Sequence, residues 1–251
     1  MNGITIEIDR VAVITIDRPE VRNAISIDTM DELSSALDDV EQSDASVLVI
    51  RGQGDRAFAS GGDLKELAKL RTIPEAAAMA THMRTICDRI STMPVPVIAA
   101  LNGIAYGGGA ELAVAADIRV AADDISLAFN QVTLAITPAW GGLERLCALV
   151  GPSRALFLAT TGTRIDAEHA ARWGLVEDII PRPEFESRWR ELADRMARSP
   201  RPVLEAIKRT VDSTRLEIGP VAANAAVQRF AATWVAPEHW EAVDRLRGPG
   251  S

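Results

Sequence analysis

One segment of the sequence, residues 96–119 (PVIAALNGIAYGGGAELAVAADIR), joins a short apolar run, a glycine cluster and a helical pattern in direct succession. The run VIAAL predicts a buried strand that Pro96 begins and Asn102-Gly103 ends. Three glycines then lead into a predicted helix. Strands alternate with helices over the first two thirds of the chain, and helices dominate the last third. This order predicts an α/β core followed by a helical region.

Other predicted elements follow the same reasoning. Alternating apolar and polar residues in ITIEID and VAVITID predict a hairpin with a tight turn near Arg10. Further predicted strands are short apolar runs: SVLVIRG, residues 57–59, DIRVAA, ISLAF and LVEDIIP. The predicted helices before the glycine cluster are residues 28–41, 64–70 and 75–92, with Pro74 breaking the pattern between the last two.

Charge and composition exclude several classes of function. The formal net charge is -8, from 27 Lys and Arg against 35 Asp and Glu, which argues against nucleic acid or an anionic membrane as partner. The longest apolar runs, such as VPVIAAL, are too short to span a bilayer. MNGITIEIDR lacks the basic-then-apolar pattern of a secretion signal, so we expect a cytoplasmic protein. The two cysteines and three histidines have no metal-ligand spacing, so we expect no metal site.

Two glycine-rich segments are the candidate chemical site: FASGGDLKE at residues 58–66, and the cluster that ends at Gly109. Neither matches a phosphate-binding loop. Backbone N–H groups at the start of a helix lack partners, and glycine lets a ligand oxygen approach them closely. Two such donors aimed at one point would form an oxyanion hole for a thioester carbonyl as it becomes an enolate. The alternative is that both segments are ordinary glycine turns.

Taken together, the motifs resemble the crotonase (enoyl-CoA hydratase/isomerase) superfamily. RPEVRNAIS, AFASGGDLKE, NGIAYGGGAELAVAADIRVA, PAWGGLERL and TGTRIDAEHAARWGLVEDII occur in that family's order and spacing. The resemblance implies the α/β crotonase fold of repeated ββα units, with a core over residues 1–195 and a C-terminal helical trimerisation region over residues 196–251. It also implies a homotrimer or homohexamer, an acyl-CoA substrate and no cofactor beyond the coenzyme A moiety of that substrate.

The resemblance assigns catalytic positions. Gly62 and Gly108 match the two residues whose backbone N–H groups bind the thioester oxygen, and Glu111 matches one of two acid/base carboxylates. The spacing agrees, since residues three apart share a face of a helix, which puts the carboxylate of Glu111 beside the N–H of Gly108. The alternative is that Glu111 only complements the partial positive charge at the start of its helix.

The resemblance also implies where coenzyme A binds. Positions matched to contacts with its phosphates, pantetheine or adenine are Arg22, Ala24, Ser60 and Lys65. A cation suits phosphate, although a single surface lysine is more often only solvated. In the family's hydratases a basic residue near the C-terminus of a neighbouring subunit also reaches the coenzyme. Arg245 and Arg247 are the candidates here.

The chain departs from the family at Gln131, which stands where hydratases place their second glutamate. Glutamine can hold a water or a carbonyl but cannot exchange a proton at neutral pH. Ala139 stands where dienoyl-CoA isomerases have an aspartate. We therefore expect hydration of a 2-enoyl-CoA with Glu111 activating water. The alternatives are enoyl-CoA isomerisation, acyl-CoA binding without turnover, or decarboxylation of a short malonyl-CoA derivative. PAWGG and the retained GGGAE beside a missing second acid also resemble the ethylmalonyl-CoA decarboxylase branch, which implies the last of these.

Two further expectations concern apolar side chains. Trp140, in PAWGG, either lines and shortens the acyl pocket or is a structural core indole. In the last third of the chain, we expect a set of apolar positions that the core leaves uncovered for assembly: Val221, Val227, Phe230 and Trp234.

Overall fold

The computed structural model describes residues 3–213 and 220–247, and its strands form two sheets. The strands are β1 (Ile4–Ile8), β2 (Val11–Ile16), β3 (Val47–Gly52), β4 (Ala57–Ala59), β5 (Val97–Leu101), β6 (Ile104–Tyr106), β7 (Ile118–Ala122), β8 (Ser126–Ala128), β9 (Ile165–Asp166) and β10 (Asp178–Ile180). The larger sheet has the order β1-β2-β3-β5-β7-β10 and the smaller one β4-β6-β8-β9.

The helices cover both sheets and form the last third of the described chain. They are α1 (Ile27–Gln42), α2 (Leu64–Leu67), α3 (Ile73–Thr92), α4 (Gly108–Ala113), α5 (Gly142–Val150), α6 (Pro152–Thr161), α7 (Ala167–Arg172), α8 (Phe185–Ala197), α9 (Arg201–Asp212), α10 (Pro220–Trp234) and α11 (Pro237–Arg247). Short 3₁₀ helices span Pro19–Val21, Gln131–Leu134 and Arg182–Glu184. None of the helices in the described ranges is long and apolar enough to cross a membrane.

The ββα repeat explains how two sheets arise from one chain. The pairs β3–β4, β5–β6 and β7–β8 each place their first strand in the larger sheet and their second in the smaller one. The first strands pair in parallel, β3 with β5 and β5 with β7, and are buried on both faces, as their continuous apolar sequences predict. The predicted hairpin is also confirmed, since β1 and β2 pair antiparallel.

Local signals explain the helix boundaries. α1 begins at Ser26, whose hydroxyl accepts from the N–H of Thr29, and its apolar residues recur at helical spacing and are buried. α2 ends at Leu67, earlier than predicted. Pro74 lies in the first turn of α3, where Thr72 and Glu75 form a reciprocal cap. Pro74 therefore belongs to the start of α3, and it does not merely end the helical pattern of α2.

The C-terminal helices correct one expectation. Val227, Phe230 and Trp234 are at most 4 % exposed within a single chain, because α10 lies against α3. The expectation that the core leaves these three side chains uncovered is therefore wrong, and the side chain of Val221 lies outside the described ones. The division into residues 1–195 and 196–251 stays a prediction, with residue 195 inside α8.

Two asparagines hold the loop that leads to the first glycine segment. The carbonyl of Ala57 accepts from Asn23 Nδ2 at 2.7 Å and from Asn102 Nδ2 at 3.1 Å. Asn102 also donates to the carbonyl of Gly54 and accepts from the N–H of Gly52. Both side chains are buried. Buried polar groups with all their partners stiffen the backbone that they join, so β4 enters the site in one position.

Candidate active site

The two glycine segments meet, as the sequence predicted. A Cβ atom placed on Gly61 would lie 3.1 Å from the carbonyl oxygen of Tyr106 and 3.4 Å from the nitrogen of Gly108. A Cβ on Gly109 would overlap the carbonyl of Ala59. Gly61 also has a φ of +102°, which side chains other than glycine rarely adopt. Glycine is thus required for the start of α4 to approach the end of β4.

Two backbone donors stay free where these segments meet. Within the described ranges, neither the N–H of Gly62 nor the N–H of Gly108 donates to a protein acceptor. Gly62 pairs with Ile25 as an isolated parallel bridge, which fixes its peptide groups without using its own N–H. Both glycines are partly exposed. They can therefore donate to a ligand oxygen that enters between the two segments.

Glu111 is 2 % exposed and accepts four hydrogen bonds, two on each carboxylate oxygen. Its Oε1 accepts from Gln131 Nε2 at 2.9 Å and from the backbone N–H of Ala139 at 3.4 Å. Its Oε2 accepts from the N–H groups of Trp140 at 2.8 Å and Gly142 at 2.9 Å. The carboxylate therefore lies inside the turn that the PAWGG motif forms.

Burial raises the pKa of Glu111 to about 7, and the four hydrogen bonds oppose that rise. Removing a carboxylate from water disfavours its charged form, whereas donors aimed at it favour the charge. Here burial outweighs the donors. A carboxyl group with a pKa near neutrality can both take and give a proton at physiological pH, which is the requirement for acid/base chemistry.

Gln131 contacts Glu111 directly, although the two residues are 20 positions apart. It lies in the 3₁₀ helix Gln131–Leu134 and is 6 % exposed. Its Nε2 donates to Glu111, and its Oε1 is buried and has no hydrogen-bond partner among the described residues. A buried acceptor without a partner costs free energy unless a water or ligand supplies the hydrogen.

Trp140 covers the space between the two free donors. Its indole lies over Gly108, since a Cβ atom added to that glycine would overlap the six-membered ring. A Cβ on Gly62 would lie 4.0 Å from Cζ2 of the same ring. Trp140 is 5 % exposed. The indole is therefore a buried side chain that also borders the donors, and its role in an acyl pocket stays a prediction.

A layer of charged side chains supports the turn around Glu111, and sequence reasoning missed it. Arg145 donates to the carbonyl of Trp140 at 3.4 Å and to Asp88 at 2.5 Å, and Arg84 pairs with Glu144 at 2.8 Å. A Cβ on Gly141 would overlap the guanidinium of Arg145. The only sequence signal was PAWGGLERL itself, whose role in holding Glu111 depends on tertiary contacts.

The predicted coenzyme positions surround the first glycine segment. The N–H of Ser60 donates to the carbonyl of Arg22 at 3.1 Å, Ala24 is buried beside it, and Lys65 is exposed on α2. Arg22 also lines a cleft of about 110 Å³ together with Arg56. Arg245 is exposed on α11, and the side chain of Arg247 lies outside the described ones.

Metal ligation has no support in the described ranges, where no group of three His, Cys, Asp or Glu side chains is placed to hold an ion. His82 and His169 lie at the surface beside aspartates, whereas His239 is buried. The Nδ1 of His239 lies 2.7 Å from the carbonyl of Leu134, at the end of the 3₁₀ helix that begins with Gln131. Since a carbonyl only accepts, Nδ1 carries the proton in this contact.

Comparisons with known proteins match the fold and the motifs. A model of the enoyl-CoA hydratase/isomerase family matches residues 7–241. The chain belongs to this family. It is 34% identical over 198 residues to a short-chain-enoyl-CoA hydratase of Clostridium acetobutylicum, covering 78% of this chain and 76% of that protein. It is 37% identical over 189 residues to a crotonyl-CoA hydratase of Syntrophomonas wolfei, covering 75% and 72%.

The fold comparison places the chain among solved members of the family. A crystal structure of an enoyl-CoA hydratase from Bacillus anthracis superposes with a TM-score of 0.82 at 32% identity, covering 97% of this chain and 93% of that one. A structure of DspI from Pseudomonas aeruginosa has a TM-score of 0.81 at 29% identity, covering 100% and 97%. The crotonase fold that the resemblance implied is confirmed.

Proposed function

We propose that the protein hydrates a short-chain 2-enoyl-CoA to the 3-hydroxyacyl-CoA, with Glu111 as its single proton carrier. The observation that carries this proposal is a buried carboxyl group with a pKa of about 7 beside two free backbone donors. Relatives named short-chain-enoyl-CoA hydratase and crotonyl-CoA hydratase support it. The roles of individual residues below belong to this proposal.

The thioester oxygen binds between the N–H groups of Gly62 and Gly108. As the oxygen becomes an enolate oxygen, both hydrogen bonds strengthen because the acceptor gains negative charge. Removing one donor of this kind typically lowers the rate by roughly a hundredfold or more. The approach of the two glycine segments holds the donors in place before substrate arrives, so little reorganisation is needed during the reaction.

Glu111 performs both proton transfers. Its ionised carboxylate takes a proton from water as the water oxygen bonds to C3 of the enoyl group, and the electrons of the double bond pass to the thioester oxygen. Glu111 then returns that proton to C2, which restores the carbonyl and leaves the 3-hydroxyacyl-CoA. Of its four hydrogen bonds, the one from Ala139 is the longest at 3.4 Å and is the contact that a water most readily replaces.

Gln131 orients the attacking water. Its Nε2 is occupied by Glu111, which leaves Oε1 as an acceptor for one water hydrogen while the carboxylate takes the other. An amide has no proton to exchange at neutral pH, so its contribution is positional. The family's second glutamate would add a proton carrier here, and the chain works without one.

Coenzyme A extends from the thioester along the first glycine segment. Backbone groups of Ala24 and Ser60 contact the pantetheine and adenine portions, and the cations of Arg22 and Lys65 approach the phosphates. One cleft on this side of the molecule is lined by Arg22 and Arg56 against a single carboxylate, Asp55, and this excess of cations supports an anionic ligand there. No cofactor beyond the coenzyme portion of the substrate enters the scheme.

Decarboxylation of a short malonyl-CoA derivative is the second candidate, and Gln131 is the observation that favours it. Loss of carbon dioxide leaves the bonding electrons on the same enolate, which then needs only one proton from Glu111. A second carboxylate at position 131 would repel the substrate carboxylate. The two candidate reactions use the same oxyanion site. In hydration the neutral side chain of Gln131 faces the attacking water, and in decarboxylation it faces the substrate carboxylate.

One substitution separates them. Gln131→Glu should raise the turnover of crotonyl-CoA if the enzyme is a hydratase, because it restores a second proton carrier. The same change should lower carbon dioxide release from ethylmalonyl-CoA if the enzyme is a decarboxylase, because like charges repel in a desolvated pocket. Gln42→Glu, at the exposed end of α1, is the control and should alter neither rate.

Both reactions are measured on both variants by mass spectrometry of the thioester. A parent enzyme that turns over neither substrate, yet binds crotonyl-CoA, would show that the chain is a binding protein and would end both proposals. Hydration by the parent that is unaffected by Gln131→Glu would remove Gln131 from the water site while leaving the hydratase assignment intact.

We also propose that the protein assembles as a homotrimer or homohexamer. On α9, Val203, Ile207 and Val211 are 49 %, 57 % and 50 % exposed and recur every four residues, which forms an apolar stripe. On α6, Leu156 and Phe157 are 65 % and 49 % exposed. Exposed apolar patches of this kind are typical of protein interfaces. These stripes replace α10 as the expected contact surfaces.

A further inference from the structure

The indole of Trp140 lies against both glycines of the proposed oxyanion site. It covers Gly108 and approaches Gly62, the two residues whose N–H groups hold the thioester oxygen in the proposed reaction. Oxyanion donors lie about 3 Å from the oxygen that they bind. The carbons attached to the same carbonyl therefore lie within a few ångströms of the indole. An acyl chain that extends from the thioester toward the indole therefore fits only if the chain ends before it reaches the ring.

The indole is also held firmly. The backbone N–H of Trp140 donates to Glu111 Oε2 at 2.8 Å, and Arg145 donates to the carbonyl of Trp140. Gly141, which follows, has a φ of +83° and a neighbouring guanidinium that leaves no space for a side chain. With 5 % of its surface exposed, the ring has neighbours on nearly every side. The fixed backbone and the close packing together leave the ring little room to turn away from the two glycines.

We infer that Trp140 sets the acyl chain length and restricts the site to short acyl groups, because a close-packed interior leaves no space behind the ring for a longer chain. This inference rests on the proposed function, because it assumes that an acyl-CoA thioester binds at Gly62 and Gly108. It adds a mechanism of selection. One residue supplies a donor to the acid/base carboxylate through its backbone and closes the acyl pocket through its side chain.

The test measures binding, so that it does not depend on turnover. Isothermal titration calorimetry of the purified protein with butanoyl-, hexanoyl-, octanoyl- and decanoyl-CoA gives affinity against chain length. For the parent, octanoyl-CoA should bind at least tenfold more weakly than butanoyl-CoA. For Trp140→Ala that order should reverse, because each added CH₂ that becomes buried contributes about a fourfold gain in affinity.

Trp173→Ala is the matched control, because it removes an indole that packs against Phe157 and Arg154, which lie outside both glycine segments. It should keep the parent profile. Trp140→Phe keeps an aromatic ring of smaller size and should shift the preference by one or two carbons. It also carries the test if Trp140→Ala fails to fold.

The outcomes separate the two proposals. Equal affinity of the parent for butanoyl- and decanoyl-CoA would overturn the role of Trp140, as would an unchanged profile in both Trp140 variants. Absence of binding for every thioester in the parent would instead contradict the proposed acyl-CoA function. Reversal in Trp140→Ala with the Trp173→Ala profile unchanged supports the inference.

Discussion

Replacing Glu111 by glutamine tests the physical account of the site most directly. In many proteins this change preserves shape and removes only charge. Here it cannot preserve the hydrogen bonds, because each carboxylate oxygen accepts two donors. Whichever way the new amide turns, its NH₂ group faces two N–H donors. The pair at Oε2, from Trp140 and Gly142, are the shorter backbone contacts, so the amide oxygen should settle there.

The amide therefore leaves Gln131 Nε2 and the N–H of Ala139 without an acceptor. An unsatisfied buried donor costs about 1–3 kcal/mol. The substitution also removes a carboxyl group whose charge is unfavourable when buried. The pKa of Glu111 rises from an ordinary value of 4.5 to about 7 on folding. Each unit of difference is worth about 1.4 kcal/mol, so that interval corresponds to about 3 kcal/mol.

The sign of the pH effect follows from linkage. A carboxyl group with a raised pKa in the folded state contributes most to stability below pH 4.5, where both states are protonated, and that contribution is lost as the pH rises through about 7. The free energy of unfolding of the parent should thus fall by about 3 kcal/mol relative to Glu111→Gln between pH 4.5 and 8. Glu168→Gln, at an exposed position on α7, should track the parent throughout.

Urea unfolding across that pH range measures the difference in unfolding free energy between the parent and Glu111→Gln. Steady-state assays on the same samples measure the rate of hydration. The kcat/KM of the parent for crotonyl-CoA should rise with an apparent pKa near 7, since hydration needs the ionised carboxylate. Glu111→Gln should lower it at least a hundredfold. A stability difference that stays flat from pH 4.5 to 8 would refute the burial argument. A fall in hydration above pH 7 would refute the role of Glu111 as base.

Two other predictions concern regions beyond the carboxylate. Burial lowers the pKa of His239 below its ordinary value of 6.5, so the free energy of unfolding of the parent should fall relative to that of His239→Asn as the pH falls below 6.5 in urea titrations. A difference between the two that does not change with pH would contradict this prediction. Ile207→Glu should reduce the mass found by light scattering at micromolar concentration, and Arg209→Glu, on another face of α9, should not. A parent that is already monomeric would refute the assembly.

The sequence predicted those parts of the site in which a local pattern has a single structural solution. A buried strand followed by glycines and a helix can be read directly, and the three-residue spacing of Gly108 and Glu111 gives their common face. The two-residue β9 and three-residue β6 were missed, since so few residues show no periodicity. β6 exists because its ββα unit adds one strand to the smaller sheet, and β9 extends that sheet by pairing antiparallel with β8.

The remaining errors have one physical origin, which is packing between distant segments. The apolar face of α10 suggested an interface, but the sequence does not say that α3 covers it. Likewise, the sequence showed that Gln131 occupies a catalytic position of the family. It did not show that Oε1 of Gln131 is left as a buried acceptor, because this depends on how the 3₁₀ helix places the side chain. The donors from Ala139 and Trp140 are backbone groups, which no residue pattern distinguishes.

The shared carbonyl of Ala57 has a consequence for how the enzyme is made in the cell. Its two donors, Asn23 and Asn102, lie 34 and 45 positions away along the chain. Of the four donors to the carboxylate of Glu111, the last along the chain is the N–H of Gly142, 31 positions after Glu111. During synthesis, the N-terminal strands can begin to pair as they emerge from the ribosome. A nascent chain that stops short of Gly142 lacks this donor to Glu111, so on the proposed function we expect incomplete chains to be inactive.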